Sequence, residues 1–196
     1  VKALSLLLIL STVLPAAPLR ILPMGDSITA GYTDNPQWSV PFEHGYRGRL
    51  HTLLTDSGVE FEFAGASLEP FNNLYGDPTL GGTVYPLLDL RDPGLNQGGH
   101  RGYGGISINT LNSNVAAYLA ADNPDLILLM IGINGISANS PSQLQALVNS
   151  IFTAKPAVRL VVAQIIPKIP YNGDVVAYNN YIRQTLVPAL AAQGKN

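Results

Sequence analysis

Apolar positions along this chain switch repeatedly between two periods. Ile21-Leu22-Pro23-Met24 is a short apolar run that breaks at Gly25, the pattern of a strand ending in a turn. Gly45 to Ser57 places Tyr46, Leu50, Leu53 and Leu54 at helical spacing, with Gly58 as a stop signal. Glu60-Phe61-Glu62-Phe63-Ala64 alternates with period two and predicts a second strand. Ile108, Leu111, Val115 and Leu119 mark a helix within Ile106 to Leu119. Leu126 to Ile131 is continuously apolar and predicts a strand buried on both faces. Ser140-Pro141 opens the next helix, whose stripe is Leu144, Leu147, Val148, Ile151 and Phe152. Val158 to Ile166 predicts another buried strand, closed by Pro167 and Pro170, and a last helix runs from Val175 to Leu190 with Tyr178, Ile182 and Leu186 inward.

Strands alternating with helices predict an α/β fold, a three-layer α/β/α sandwich around a parallel sheet with right-handed crossovers. The pattern gives four strands, at residues 19–24, 60–64, 126–131 and 158–166. Only six residues follow Leu190, where such a fold leads into a fifth strand. The expectation is therefore a domain over 18–196 that is incomplete at its C-terminal side, with an open sheet edge and a tendency to self-associate. Gly65 to Gly105 is rich in Gly, Pro, Asn and Asp without a periodic pattern. A loop of that length in a compact domain is usually functional, and it is expected to be a substrate-side insertion.

Composition narrows the function. A length of 196 residues suits one domain. Only 12% of residues are charged, the net charge is −2 and basic residues are scattered, which argues against nucleic acid or an anionic membrane as partner. The absence of cysteine excludes disulfides and thiolate metal sites. Residues 1–17 resemble a secretory signal: Lys2, an apolar core from Ala3 to Leu14, then Pro15-Ala16-Ala17. A buried first helix is the alternative, opposed by Pro15 and Pro18. The expected location is extracellular.

The candidate chemistry lies at strand ends. Asp26 and Ser27 follow the first strand on a tight turn, where an open sheet binds ligands. Ser27 reads either as a nucleophile lifted from the sheet or as a helix cap. His100 to Ile108 is a glycine-rich turn entering a helix, in which Gly105 can bring a bare N–H to a substrate. Asn134 follows the strand that ends at Ile131 and can aim its amide at the same crevice. The Ser27 N–H, the Gly105 N–H and the Asn134 side chain would then form an oxyanion hole for acyl transfer. Of the three histidines, His44 and His51 lie in or just before the first helix. His100 is the one candidate base, against a structural role in its loop. Asp26 reads as a loop brace. Asp34, Asp77, Asp89 and Asp92 are loop acids without a spacing argument, while Tyr103 and Trp38 offer aromatic faces for a sugar or for packing. There is no Gly-x-Ser-x-Gly elbow, phosphate loop, dinucleotide fingerprint or His-Glu-x-x-His.

Gly25-Asp26-Ser27-Ile28, Gly105 and Asn134 resemble the first three blocks of the SGNH (GDSL-type) hydrolases, in order, across residues 19–190. Gly45-Tyr46-Arg47-Gly48-Arg49-Leu50 and the His100 to Ile108 segment are most similar to the acetyl xylan esterase branch, carbohydrate esterase family three. The resemblance implies a flavodoxin-like sheet, a Ser27 nucleophile, oxyanion donors from Ser27, Gly105 and Asn134, no metal or organic cofactor, and a small acyl ester as substrate. The chain departs from the family at Gly135, where an acid usually braces the loop, and in lacking the Asp-x-x-His block that supplies the base. The first departure bears on how Asn134 is held. The second implies weak turnover by these 196 residues, and leaves a non-catalytic carbohydrate-binding module as the competing class.

Overall fold

A computed structural model describes residues 17–32, 44–67, 69, 95 and 97–195. The expected signal segment up to residue 16, and Asp34, Trp38, Asp77, Asp89 and Asp92, lie outside the described residues. The elements are β1 (Leu19–Gly25), α1 (Ser27–Ala30), α2 (Tyr46–Asp56), β2 (Phe61–Phe63), β3 (Arg101–Gly102), α3 (Ile108–Asp122), β4 (Leu126–Met130), α4 (Ser140–Ala154), β5 (Arg159–Val162), α5 (Gly173–Tyr181), a π-helical turn (Ile182–Leu186) and α6 (Val187–Ala192).

The sheet is parallel throughout, in the order β2-β1-β4-β5, with helices on both faces. This is the α/β sandwich expected from the alternation of periods. The strand count is corrected from four to five. Two residues, Arg101 and Gly102, pair with Met24 and Gly25 as β3 on the same side of β1 as β2. A two-residue strand has no periodicity to read, which is why the pattern passes over it.

That arrangement also explains Pro23 in a central strand, where proline ordinarily cannot serve. Ile21 and Gly25 turn their carbonyls to the β2/β3 side, accepting from Ala64 N–H at 2.8 Å and Tyr103 N–H at 3.2 Å. Pro23 shares their parity, so its missing donor falls in the gap between Phe63 and Arg101, where no ladder bond is made.

The core is divided by the sheet. Leu22, Met24, Ile127 and Leu129 pack with Ile108, Leu111, Val115, Leu119, Leu144, Leu147, Val148 and Ile151 from α3 and α4 and with Val175 and Tyr178 from α5. The opposite cluster is smaller: Ile21, Phe63 and Leu95, with Leu50 and Leu54 of α2 against it. Two expectations about burial are corrected accordingly. β4 alternates between buried and half-buried rather than being buried on both faces, and β5 is four residues long with Arg159 and Val161 exposed. On α2, Leu53 is 46% exposed, and the fully buried side chain is Arg47, which donates to the Thr29 and Ala30 carbonyls at 3.2 Å each. The apolar stripe thus mispoints because a guanidinium, needed to satisfy carbonyls of α1, takes the inward position. The single helix expected over Val175 to Leu190 is interrupted by the π turn just ahead of Pro188. Proline lacks the N–H of the ordinary i→i−4 bond and its ring crowds that carbonyl, so the wider turn absorbs the conflict.

Candidate active site

The site is built where β1, β3 and β4 end together. Gly25 is in register with Gly102 on one side and Met130 on the other. A side chain at Gly25 would put a Cβ 2.0 Å from the Met130 carbonyl oxygen, so only glycine permits this approach. The loops that leave these strands carry Ser27, Gly105 and Asn134, all at the carboxyl end of the sheet.

Ser27 is the first residue of α1 and is half-buried. Asp26, fully buried, caps α1 by accepting from Ile28 N–H at 3.0 Å. The capping role considered for Ser27 therefore belongs to Asp26, as the loop brace expected of it. Its second carboxylate oxygen has no hydrogen-bond partner. Burial pushes its pKa from 3.8 up to about 6, with the bond from Ile28 pulling the other way. Among the described residues, the Ser27 N–H and hydroxyl make no hydrogen bond.

Gly105 is exposed in the turn from Tyr103 to Ile106, with a left-handed φ of +72°. Its N–H is likewise uncommitted among the described residues. The turn is tied down on both sides of Gly105. The Glu69 carboxylate accepts from Gly104 N–H and, at 2.9 Å, from the Tyr32 hydroxyl, joining this turn to the end of the Ser27 segment. On the other side the Asn134 side-chain amide donates to the Ile106 carbonyl at 3.2 Å. An Asn Nδ2 carries two hydrogens, so one remains for a ligand. Asn134 is half-buried. The structure thus joins the second and third loops by a direct bond, and the first leaves β1 where the Gly25 carbonyl accepts from Tyr103 N–H of the second at 3.2 Å.

A family model for GDSL-like lipase/acylhydrolases matches residues 21–193. The chain belongs to that family. Among curated proteins it is 28% identical over 215 residues to a multidomain esterase of Ruminococcus flavefaciens, covering 92% of this chain and 25% of that protein. The chain thus spans a quarter of the length of that relative. Among solved structures it is similar to a Clostridium thermocellum family 3 carbohydrate esterase, with 28% identity, a TM-score of 0.65, and coverage of 91% of this chain and 75% of the other. A family 3 carbohydrate esterase from Talaromyces cellulolyticus shares the fold at 20% identity and a TM-score of 0.60, covering 84% of this chain and 70% of that one.

In this GDSL-family chain the histidines have other work. His100 is buried, and its Nδ1 accepts from Gly102 N–H at 3.0 Å. Its carbonyl accepts from Ser67 N–H at 3.0 Å. That is the loop-shaping role weighed against a base. His44 lays its ring over Gly48 of α2, and His51 packs edge-on to Phe61 at 5.4 Å between ring centres. None is hydrogen-bonded to Ser27. Tyr103, an aromatic face for a sugar or for packing, is half-buried; its hydroxyl accepts from Arg101 at 3.1 Å and its ring stacks on Tyr118.

Sequence reasoning missed the ion pair behind this. Arg101 grips Asp122 with two bonds of 2.6 and 2.9 Å while lying 4.4 Å over the Tyr118 ring, and its pKa is raised chiefly by the hydrogen bonds to Asp122. A lone Arg in a glycine-rich loop and a lone Asp at a helix end give no signal that they meet. Among the described residues no three His, Asp or Glu side chains gather as a metal site would need.

Proposed function

We propose that this chain is a serine esterase that removes small acyl groups, acetyl above all, from carbohydrate, and that it works outside the cell. Ser27 Oγ attacks the ester carbonyl and passes its proton to a base. The carbonyl oxygen, now negative, takes hydrogen bonds from Ser27 N–H, Gly105 N–H and the second Asn134 amide hydrogen. The alcohol leaves with a proton, and water then releases the acid from the acyl-serine. The observations that support this reading are the uncommitted amides of Ser27 and Gly105 and an Asn134 side chain anchored to Ile106 with a hydrogen to spare. The similarity to carbohydrate esterases supports the sugar-borne substrate. The low charge agrees with a neutral polymer rather than nucleic acid or a membrane surface.

All three histidines are described and engaged elsewhere, so turnover by these residues alone is proposed to be slow. With no histidine hydrogen-bonded to it, Ser27 has to give its proton to water, a far weaker base than an imidazole. Hydrolysis of an aryl acetate by the purified chain should be measurable, weak, and lost in Ser27→Ala. Equal rates for wild type and Ser27→Ala would overturn the proposal. The second reading, a module that binds carbohydrate without chemistry, is favoured by the unpartnered Ser27 hydroxyl. It predicts retention of an acetylated xylo-oligosaccharide that is unaffected by Ser27→Ala and yields no acetate.

A further inference from the structure

We propose that Tyr178 on α5 is a positioning residue for the Asn134 loop, holding the third oxyanion donor in place where the usual acid is replaced by Gly135; this rests on the esterase reading above. Tyr178 is fully buried, and its hydroxyl donates to the Ile131 carbonyl at 2.8 Å. Ile131 is the first residue past β4, where the ladder has ended and its buried carbonyl needs a donor from elsewhere. The next residue, Gly132, has a φ of +123°, and a Cβ there would lie 2.8 to 3.0 Å from the Tyr178 ring and hydroxyl. The chain therefore leaves the strand pressed against the tyrosine and can only turn as it does with glycine at this position.

Two residues later Asn134 binds Ile106. Just past the second anchor Gly135 gives no help: space around its Cβ position is open to 4 Å. The loop is thus fixed at its root by Tyr178 and at its tip by the Ile106 carbonyl. Burial first, then the Asp26 charge, raises the Tyr178 pKa, which keeps the hydroxyl a donor across the working range. Tyr178 touches no reacting atom in this scheme and acts through Asn134.

Tyr178→Phe keeps the ring under Gly132 and removes only the donor. Against an aryl acetate, kcat should fall about tenfold with KM within about twofold, since a displaced oxyanion donor weakens the transition state more than substrate binding. Amide hydrogen exchange at residues 132–134 should quicken by about tenfold while residues 127–129 of β4 keep their protection. Val175→Ala, a cavity on the same helix, is the control: it should lower Tm but leave kcat per folded molecule and loop exchange unchanged. Wild-type exchange and kcat in Tyr178→Phe would overturn the proposal, as would the same changes in Val175→Ala. If the wild type shows no Ser27-dependent turnover, the esterase reading fails, and the exchange measurement alone decides whether Tyr178 braces the loop.

Discussion

On one face of the sheet Leu22, Met24, Ile127 and Leu129 disappear beneath α3, α4 and α5; on the other, Ile21 and Phe63 share α2 with Leu50 and Leu54, and Val161 stays 51% exposed. The thick face also supplies the buried polar anchors, Tyr178 on Ile131 and Asp122 on Arg101. The thin face supplies Arg47, which holds the carbonyls of α1. What the difference teaches is a division of labour. The Gly105 and Asn134 loops are secured from the thick face, and the Ser27 turn is secured from the thin one.

The Arg101–Asp122 pair gives the largest expected break. Asp122→Ala leaves a guanidinium with 11% side-chain exposure and no carboxylate, and breaking such a buried pair costs about 3–5 kcal/mol. The same variant should release β3 from α3 and with it the turn that presents Gly105. Chemical denaturation checks the first effect, and loss of protection at residues 101–105 checks the second. A loss under about 1 kcal/mol would mean that packing around Tyr103 and Tyr118, not the pair, ties β3 to the thick face.

Asp26 lies between the faces, near enough to Tyr46 from α2 and Tyr178 from α5 for its charge to raise both hydroxyls after burial has done so. Its own folded pKa is raised from 3.8 to about 6 by burial. The folded state therefore holds the proton more tightly than the unfolded one. Stability from this group is fully present below about pH 4, is lost as pH rises through about 6, and is flat above. The size is on the order of 3 kcal/mol. Asp26→Asn keeps an oxygen for Ile28 N–H and abolishes the titration. The wild type should lose stability relative to Asp26→Asn between pH 4 and pH 7 in denaturation curves. A pH-independent difference would mean that the carboxylate is paired or hydrated in solution.

Much of this arrangement is legible in residue order, and the illegible parts share a cause. β1, the position of β4 and the α4 stripe are read correctly because the thick face buries an apolar side chain at each contact, although the half-buried second face of β4 is not read. The glycine and asparagine blocks are legible through resemblance. Arg47, Asp122 and Tyr178 escape the pattern because their hydrogen-bond partners lie 17 to 47 residues away, on backbone or in a loop. Hydropathy reports that a position is inward; it says nothing of which carbonyl the inward group reaches. Tyr178 shows this best, being placed inward from its spacing while the role of its hydroxyl stays hidden.

The smallest effect is expected on the thin face, and it sharpens the comparison most. Val161 on β5 projects from an edge strand that pairs only with β4 among the described residues. It lines an apolar hollow of about 440 Å³ with Ile28, Tyr46, Leu128, Met130, Ala163 and Ile166. Val161→Thr is nearly isosteric and keeps β-branching, so on an exposed strand it should shift stability by less than about 0.5 kcal/mol. The same change in a filled core would bury a hydroxyl and cost about 1–3 kcal/mol. Denaturation of wild type and variant at two protein concentrations distinguishes the cases. A small, concentration-independent change leaves the two faces as unequal as described. A large loss independent of concentration would place a segment of this chain over the hollow, and one that grows with concentration would place a second copy there.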